Sequence, residues 1–331
     1  MKTSVIGGGS WGSAFAMHLG RNGIETKLWF REREIYEAAV RDRENPVFLP
    51  GFRFPPPVTF HHGLEAAVRD ADLVFLAVPS QFCRRVLARL APHLAEGQDL
   101  VSLAKGIEKR TLLRMTEVAA SVLGRFVRPR LGVLSGPSFA REVAQGHPTA
   151  LVLASRNLPW ARSVQHLVSS PSLRVYTSRD VLGVEIAGAL KNIVAIAAGI
   201  NDSLQFGDNA RAALMTRGLA EITRLSVKLG ARKETFLGLA GVGDLVLTCT
   251  GRLSRNRHLG AELGKGRDLA GIIGSTRMVV EGIATTVSAR RLALREGVEM
   301  PLTEQIYRIL YHRKEPRKAL ADLMSRTLKG E

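Results

Sequence analysis

Residues 3–23 read TSVIGGGSWGSAFAMHLGRNG: a short apolar run, three glycines in a row, and then a stretch with helical character. The apolar run predicts a buried strand over Thr3–Gly7, and the stretch after the glycines predicts a helix over Ser10–Leu19. A strand that passes through a glycine turn into a helix is the opening unit of a parallel α/β sheet. The start of the chain therefore favours a doubly wound fold.

The glycines at this turn have the spacing that a dinucleotide requires. Gly7, Gly9 and Gly12 form G-x-G-x-x-G. The first glycine permits a tight turn, the second lets the backbone approach a pyrophosphate, and the third lets the helix pack closely on the strand. Backbone N–H groups near Ser10 and Trp11 would then face the diphosphate at the positive end of the helix. A glycine-rich turn without a ligand is the alternative interpretation.

The rest of the first half repeats this alternation. Helical patterns over Glu34–Val40, Gln81–Leu90 and Leu112–Leu123 fall between strand candidates, which predicts a largely parallel, doubly wound sheet in an N-terminal domain of residues 1–180. The proline-rich stretch Asn45–Pro57 is expected to be a loop, because proline does not fit a helix interior. The further strand candidates, mostly unalternated Val, Leu and Ile, are Thr26–Phe30, Leu73–Val78, Leu100–Leu103, Leu131–Leu134, Ala150–Leu153 and Leu173–Tyr176.

From residue 181 to residue 331 the strand signal fades, and we expect an all-helical domain. Its longest apolar tract, Val181–Ile200, contains Glu185, Lys191 and Asn192. It therefore lacks the roughly 20 uninterrupted apolar residues of a membrane-spanning helix, and we expect it to be buried inside the protein. The other helix candidates are Ala210–Leu229, Arg257–Leu263, Val287–Arg295, Thr303–Leu310 and Arg317–Thr327.

Composition narrows the class of protein. The length of 331 residues favours two domains, and the hydrophobic share of 45% excludes a disordered chain. The net charge of +17 favours anionic partners such as nucleic acid, acidic lipid or phosphorylated small molecules. Cys83 and Cys249 cannot form a disulfide framework or a cysteine-rich metal site, and no signal peptide is visible. We expect a soluble cytoplasmic protein without a metal.

The residues after the second strand candidate bear on the form of the dinucleotide. A site for NAD places Asp or Glu at the ribose 2′-hydroxyl, whereas here the strand is followed by Arg31, Glu32 and Arg33. A guanidinium at Arg31 or Arg33 suits a 2′-phosphate, and Glu32 could serve a 2′-hydroxyl. The pattern favours NADP without excluding NAD; solvated charges at the start of a helix are the alternative.

One lysine stands inside an apolar helix pattern. Lys191 has Ala187 and Ala195 one turn away on either side, so no carboxylate on its own helix pairs with it at helical spacing. Because an unpaired buried ammonium loses several kcal/mol of solvation, its partner must come from elsewhere in the fold, or the lysine must line a wet cleft. Either arrangement suits proton transfer. A lysine that extends to the surface is the alternative.

Three further clusters carry groups that suit a phosphorylated ligand. Lys105 follows a strand candidate, at the edge where open α/β sheets bind ligands. The turn SGPSFA at 135–140 offers hydroxyl and N–H groups, and AGVGDLVLTCTGRLSRNR places Asp244 behind a glycine turn and ends in Ser-Arg-Asn-Arg at 254–257. A hydroxyl, a guanidinium fork and an amide at the mouth of a helix suit a phosphate monoester.

Together these segments resemble the bacterial NAD(P)-dependent glycerol-3-phosphate dehydrogenase family. The family's motifs occur in order from Val5 to about Gly282, and they are GGGSWGSA, LWFR, AVPS, LAKG, SGPSFA, GALKNIVAIAAG, NARAAL, AGVGDLVLTCT, SRNR and VVEG. The resemblance implies a Rossmann-like domain followed by an all-α domain of the 6-phosphogluconate dehydrogenase C-terminal type. Phe30 departs from the pattern where relatives often have a small residue, and Leu204 and Gln205 depart from it where relatives often have glycines.

The resemblance also implies roles for individual residues. Lys191 matches the family's catalytic acid/base, Asp244 would hold its ammonium, and Lys105 would add positive potential. The residues implied to surround the glycerol phosphate are Lys105, Gly136, Ser138, Lys191, Asp244, Ser254, Arg255 and Asn256. With the glycines of the turn, the residues implied to contact the cofactor are Ser10, Trp11, Arg31, Lys105, Ala140, Arg255, Val279 and Glu281.

The activity implied by the resemblance is reduction of dihydroxyacetone phosphate to sn-glycerol 3-phosphate with NADPH or NADH, for glycerophospholipid synthesis. The same resemblance implies a homodimer. We expect no nucleic-acid partner, because the basic residues are dispersed and no reader motif is visible, and no stable membrane insertion. Three alternatives stay open on the residues alone. They are a related NADP-dependent β-hydroxyacid reductase, an adaptor that binds a dinucleotide without catalysis, and a basic nucleic-acid-binding protein.

Overall fold

The computed structural model of the protein describes residues 1–327. Its contacts divide the chain into two compact units. The first unit contains Met1–Lys105 and Leu113–Glu185, and the second contains Gly106–Leu112 and the described residues from Ile186 onward. The predicted division after residue 180 differs from this one by a few residues. It also misses the short segment Gly106–Leu112, which packs with the second unit although it comes from the first half of the chain.

The first unit is built on an eight-stranded sheet, accompanied by a two-stranded hairpin. Its strands are β1 (Thr3–Ile6), β2 (Thr26–Trp29), β3 (Glu44–Asn45), β4 (Leu49–Arg53), β5 (Val58–His61), β6 (Leu73–Leu76), β7 (Asp99–Ser102), β8 (Leu131–Ser135), β9 (Thr149–Ala154) and β10 (Leu173–Ser178). The order in the large sheet is β10-β9-β8-β7-β6-β1-β2-β5. All neighbouring pairs in it are parallel except β8 and β9, which are antiparallel.

Helices cover both faces of this sheet. They are α1 (Ser10–Arg21), α2 (Arg33–Asp42), α3 (Leu64–Val68), α4 (Cys83–Leu90), α5 (Met115–Leu123), α6 (Ala140–Gln145) and α7 (Leu158–Val168). Alternate residues of one strand enter different apolar clusters: Val5 packs in one and Ile6 in the other. Because both faces of each central strand are buried, the strands read as continuous apolar runs. The prediction of a doubly wound, largely parallel sheet is confirmed.

The region predicted as a proline-rich loop contains regular structure. The hairpin of β3 and β4 begins at Glu44, one residue before the predicted loop, and ends at Arg53 inside it. The prediction that this stretch is a loop is therefore wrong over the hairpin. Pro50 is tolerated in β4 because each strand of a two-stranded sheet is an edge strand. Directly after the prolines, β5 pairs with β2. It was not predicted because its sequence, VTFH, is too short and too polar to stand out.

The second unit is helical among the residues that the structure describes. It contains most of α8 (Val181–Ser203), together with α9 (Gly207–Lys228), α10 (Asp244–Thr250), α11 (Arg255–Gly264), α12 (Leu269–Gly274), α13 (Glu281–Glu296), α14 (Pro301–His312) and α15 (Pro316–Met324). By length and composition α8 could cross a membrane, but 89% of its most apolar window is buried inside the protein. The short helices α10 and α12 were not predicted.

Two glycines bring α8 and α11 into backbone contact. A Cβ atom on Gly199 of α8 would lie 1.9 Å from the carbonyl oxygen of Arg257, and one on Gly260 of α11 would lie 2.0 Å from the carbonyl oxygen of Ile196. No side chain larger than a hydrogen atom fits at either position. The start of α11 is therefore seated directly on the backbone of α8.

Glu221 on α9 caps the N-terminus of α14. Its carboxylate accepts hydrogen bonds from the backbone N–H groups of Leu302 at 2.6 Å and Thr303 at 3.2 Å. Burial raises the pKa of Glu221 to about 7, although these bonds and the nearby Arg224 oppose the increase. The carboxyl is therefore protonated in the folded protein over a pH range in which it is ionised in the unfolded chain.

We expect the stability of the protein, relative to a Glu221→Gln variant, to fall as the pH rises. The contribution of the raised pKa is complete below about 4.5 and is lost as the pH passes about 7, which limits the change to about 3 kcal/mol. Urea unfolding of both proteins at several pH values measures the difference in free energy of unfolding. A difference that stays constant with pH would contradict the expectation.

Candidate active site

The glycine turn lies at the carboxyl edge of the sheet, directly after β1. The neighbours of β1 are β2 on one side and β6 on the other, and both run parallel to it. The chain therefore builds the sheet outward from β1 in one direction and later in the other. In open α/β sheets this change of direction leaves a crevice at the carboxyl ends of the strands, where ligands bind.

The geometry of the turn fits a diphosphate. Gly7 has a φ of +124°, and a Cβ atom there would lie 2.7 Å from the carbonyl oxygen of Ala77; one on Gly12 would lie 1.9 Å from that of Gly7. At Gly9, by contrast, nothing lies within 4 Å of the Cβ position, so the backbone is open to a ligand. Gly9 precedes α1, and no side chain caps that helix end. The first-turn N–H groups are thus left for an anion.

Aromatic rings support this turn. Trp11, in the first turn of α1 after Ser10, packs on Phe15 with ring centroids 5.7 Å apart. The ring of Phe30 is fully buried and lies so close to Gly8 that a Cβ atom on that glycine would be 2.1 Å from it. Phe30, the residue that departs from the family pattern, therefore fills space behind the turn with its ring. It places no bulk in front of Gly9.

The structure separates the two arginines that could meet a 2′-phosphate. Arg33 Nε donates to Glu37 Oε1 at 2.9 Å on the exposed face of α2. Arg31 follows the end of β2 and forms an ion pair with Glu32, and its side chain is 60% exposed. Arg31 is the better placed of the two, because it adjoins the sheet edge that carries the glycine turn. A phosphate there would compete with Glu32 for the guanidinium.

Lys105, Gly136 and Ser138 converge where β7 and β8 end. Lys105 Nζ donates to the carbonyl oxygen of Gly136 at 2.9 Å, and Ser138 Oγ donates to the same oxygen at 3.0 Å. Gly136 has a φ of +134°, which favours glycine at this turn. Ala140 begins α6, which packs against α1. The first unit thus gathers an ammonium, a hydroxyl and a helix start at one edge of its sheet.

Lys191 is buried in the second unit with a carboxylate and a hydroxyl. Its Nζ donates to Asp244 Oδ1 at 2.6 Å and to Thr248 Oγ1 at 2.5 Å. The side chain of Lys191 is 7% exposed and that of Asp244 is 1% exposed. The prediction that its partner comes from outside its own helix is confirmed, and the alternative of a lysine extending to the surface is wrong. The hydroxyl of Thr248 donates to the carbonyl oxygen of Asp244 at 2.6 Å, so its oxygen lone pair faces the ammonium.

The first turn of α11 presents a guanidinium. Ser254 is the N-cap of this helix, and its Oγ accepts from the N–H of Arg257 at 3.2 Å. The side chain of Arg255 is exposed, and its Nη1 donates to the carbonyl oxygen of Val279 at 3.0 Å. Glu281, two positions further on, begins α13. The structure thus brings together Ser254, Arg255, Val279 and Glu281, which the family resemblance implied.

The amide of Asn256 joins this turn to the lysine helix. Asn256 Nδ2 donates to Asn192 Oδ1 at 2.8 Å, and its Oδ1 accepts from the N–H of Gly282 at 2.9 Å. Asn192 directly follows Lys191 on α8. One amide bridge therefore connects the turn suited to phosphate with the residue next to the buried ammonium. Asn256 is engaged on both sides, so holding the turn in place is part of what it does.

Thr248 and Asn192 were not among the predicted site residues. Thr248 lies one helical turn after Asp244, so the two share a face of α10, but that helix was itself not predicted. Asn192 is a polar residue inside the apolar pattern of α8 and stands next to the lysine, which was a usable signal. Burial raises the pKa of Cys249 to about 12, so its thiol stays protonated at neutral pH. Within residues 1–327 no cluster of three or more His, Cys, Asp or Glu side chains could hold a metal.

Two family models match most of the chain. The N-terminal model of NAD-dependent glycerol-3-phosphate dehydrogenase matches residues 2–161, and the C-terminal model matches residues 180–321. The chain belongs to this family. Its sequence is 53% identical over 330 residues to the glycerol-3-phosphate dehydrogenase (NAD(P)+) of Geobacter sulfurreducens, covering 100% of this chain and 98% of that protein.

A second relative and a solved structure also match this chain over nearly its whole length. The enzyme of the same name from Syntrophotalea carbinolica is 51% identical over 331 residues, which is 100% of this chain and 99% of that one. The crystal structure of glycerol-3-phosphate dehydrogenase from Coxiella burnetii matches with a TM-score of 0.94 at 38% identity, covering 98% of this chain and 99% of that chain. The predicted family and fold class are confirmed, and family membership makes this chain an NAD(P)-dependent oxidoreductase. The roles of individual residues stay predictions.

Proposed function

We propose that this chain reduces dihydroxyacetone phosphate to sn-glycerol 3-phosphate with NAD(P)H, as its relatives' names indicate. One observation supports this most directly. The buried Lys191 with its partner Asp244 is connected, through Asn192 and Asn256, to the helix start that carries Ser254 and Arg255. A proton donor and a phosphate-binding turn fixed to one another are what a ketone phosphate needs, because they orient the carbonyl relative to the acid.

Each residue of the site would then have its own role in the reaction. The nicotinamide cofactor, when bound, supplies the hydride for the carbonyl carbon. The ammonium of Lys191 donates a proton to the carbonyl oxygen as it becomes an alkoxide. Asp244 and Thr248 fix the direction of Nζ and compensate its charge away from water. Lys105 adds positive potential for the developing oxyanion, and Arg255 with Ser254 holds the phosphate.

The same proposal includes a preference for NADPH. The preference is supported by Arg31, which follows β2 in the sequence. Among residues 1–327 its guanidinium has only Glu32 as a carboxylate partner. A 2′-phosphate would give it a second, doubly charged partner, whereas a 2′-hydroxyl would not. The net charge of +17 adds a field that attracts phosphorylated ligands.

One assay tests the activity and the cofactor preference. NADPH absorbance is followed after addition of dihydroxyacetone phosphate, and the measurement is repeated with NADH and with unphosphorylated dihydroxyacetone. We expect oxidation that depends on the phosphate and is faster with NADPH. Equal turnover of unphosphorylated dihydroxyacetone would favour a related reductase that does not need the phosphate, and cofactor binding without oxidation would favour an adaptor.

Replacing Arg255 by alanine should raise the KM for dihydroxyacetone phosphate by about tenfold to a hundredfold. The basis is that a hydrogen bond to a charged group contributes about 1.5–3 kcal/mol. Steady-state kinetics at saturating cofactor measures the effect. Arg252, which is exposed on the preceding turn, is the matched control as Arg252→Ala. A KM unchanged by Arg255→Ala would move the phosphate site elsewhere.

The expected partners complete the proposal. We propose a cytoplasmic homodimer whose partners are small phosphorylated molecules, without nucleic acid and without stable membrane insertion. The dimer rests on the family resemblance alone. Sedimentation velocity would separate a dimer from a monomer of 36.1 kDa.

A further inference from the structure

We propose that Asp202 is a positioning residue for the turn that binds the phosphate, and that it acts through Arg257. The inference rests on the proposed function, since it takes residues 254–256 as the phosphate-binding turn. Neither Asp202 nor Arg257 has a part in the chemistry described above. Their contribution would be to hold the start of α11 at a fixed place and angle on α8.

Asp202 connects three helices through its two carboxylate oxygens. It lies in the last turn of α8, where its Oδ2 accepts from Arg257 Nε at 2.6 Å and its Oδ1 accepts from Arg211 Nη1 at 3.1 Å. The side chains of Asp202 and Arg257 are 18% and 25% exposed. An ion pair this sheltered is screened less by water and salt than a surface pair. The carboxylate therefore ties α11 and α9 to the end of α8.

Arg257 stands at the point where α11 touches α8. Its N–H is capped by Ser254, and its carbonyl oxygen occupies the space that glycine leaves at position 199. The backbone of Arg257 and the side chain of Asn256 fix the turn at one end of the contact. The ion pair with Asp202 fixes it at the other. Loss of the ion pair would let the helix start rotate about the remaining contacts, and Arg255 would move with it.

An electrostatic role and a positioning role for Asp202 predict opposite changes in the KM for dihydroxyacetone phosphate. Removing a negative charge near the phosphate-binding turn would raise the local positive potential and strengthen phosphate binding. A positioning role predicts weaker binding, because an Arg255 guanidinium that is displaced from the phosphate loses hydrogen bonds to a charged group. The sign of the change in KM therefore separates the two roles.

The experiment compares Asp202→Asn with Glu304→Gln. Glu304 is the matched control: like Asp202 it accepts from two arginines, Arg290 at 2.6 Å and Arg308 at 2.9 Å, in the same unit. We expect Asp202→Asn to raise the KM for dihydroxyacetone phosphate by about tenfold, with kcat changed less than about threefold. Its turnover of unphosphorylated dihydroxyacetone should equal that of the wild type, and Glu304→Gln should change none of these values.

A double-mutant cycle tests whether Asp202 acts through Arg257. Arg257→Gln should lower kcat/KM by no more than Asp202→Asn does, because Asp202→Asn also breaks the bond with Arg211. The double variant should lose no more than Asp202→Asn alone, because both changes break the same Asp202–Arg257 ion pair. Additive losses would overturn the proposal. So would a lower KM in Asp202→Asn, or an equal loss with the unphosphorylated ketone.

Hydrogen exchange supplies a measurement that does not depend on activity. The backbone N–H groups of Arg257 and His258, which donate to Ser254 Oγ and to the carbonyl oxygen of Ser254, should exchange faster in Asp202→Asn than in the wild type or Glu304→Gln, because the first turn of α11 opens more often. Unchanged exchange would overturn the positioning role even if the enzyme is active. If the wild type fails to reduce dihydroxyacetone phosphate, the proposed function fails, while the exchange result still decides the role of Asp202.

Discussion

Replacing Lys191 by alanine should lower kcat for dihydroxyacetone phosphate by about a thousandfold, within the range of a lost general acid. The ammonium is the proton donor in the proposed mechanism, and the buried Asp244 and Thr248 that hold it are a carboxylate and a hydroxyl, neither of which replaces a lost cation. The Kd for NADPH should stay the same, because the glycine turn belongs to the first unit. Single-turnover kinetics and a fluorescence titration measure the two quantities.

A folding control belongs with this variant, because Lys191→Ala leaves Asp244 buried without its cation, which is costly. Lys191→Met and Lys191→Gln fill more of the space, and circular dichroism checks that each variant is folded. The matched control is Lys265→Ala, which removes an exposed lysine paired with Glu262 at 2.8 Å. Turnover of a folded Lys191 variant within about tenfold of the wild type would end the assignment.

Gly260→Ala should destabilise the second unit by about 3 kcal/mol or more, at the upper end of overpacking effects. The added methyl carbon would lie 2.0 Å from the carbonyl oxygen of Ile196, and a helix backbone cannot move aside as a flexible side chain can. The helices α8 and α11 would have to separate, which would also displace the phosphate-binding turn from Lys191. Thermal unfolding measures the first effect, and kcat/KM of the folded fraction measures the second.

Gly274→Ala is the control for the change from glycine to alanine itself. Gly274 ends α12, and nothing lies within 4 Å of its Cβ position. Alanine there should be neutral or slightly stabilising, since it favours the helix. If both variants unfold at the same temperature, the close contact of α8 and α11 is not the constraint that we infer.

Local patterns predicted much of the fold. The glycine turn after β1 was predictable because the backbone constraints that require its three glycines all lie within a few residues. The buried strands and the long apolar helix α8 were predictable because burial on all sides leaves continuous apolar runs. The strand β5 and the hairpin β3–β4 were missed, since their stability comes from pairing with distant residues.

The candidate site, like the fold, could be predicted only where the signal is local in the sequence. Lys191 was recognisable as an anomaly within its own helix, but its partner on α10 lies far along the chain, and only the resemblance to a family pointed to Asp244. The engagement of Asn256 with Asn192 and Gly282 follows from a contact between helices. Spacing along the sequence does not encode such contacts, because they depend on how closely two backbones approach.

The segment Gly106–Leu112 has a consequence for how the polypeptide matures. Ser288 Oγ donates to the carbonyl oxygen of Ile107 at 3.0 Å, and Arg291 Nη1 donates to that of Lys109 at 2.6 Å. Ile107 is fully buried, yet Ser288, which donates to its carbonyl oxygen, leaves the ribosome only after most of the protein has been synthesised. The segment Gly106–Leu112 must therefore remain exposed on the nascent chain until α13 has been translated. A single proteolytic cut after Glu185 would leave this segment on the N-terminal fragment, so it could not release the second unit whole.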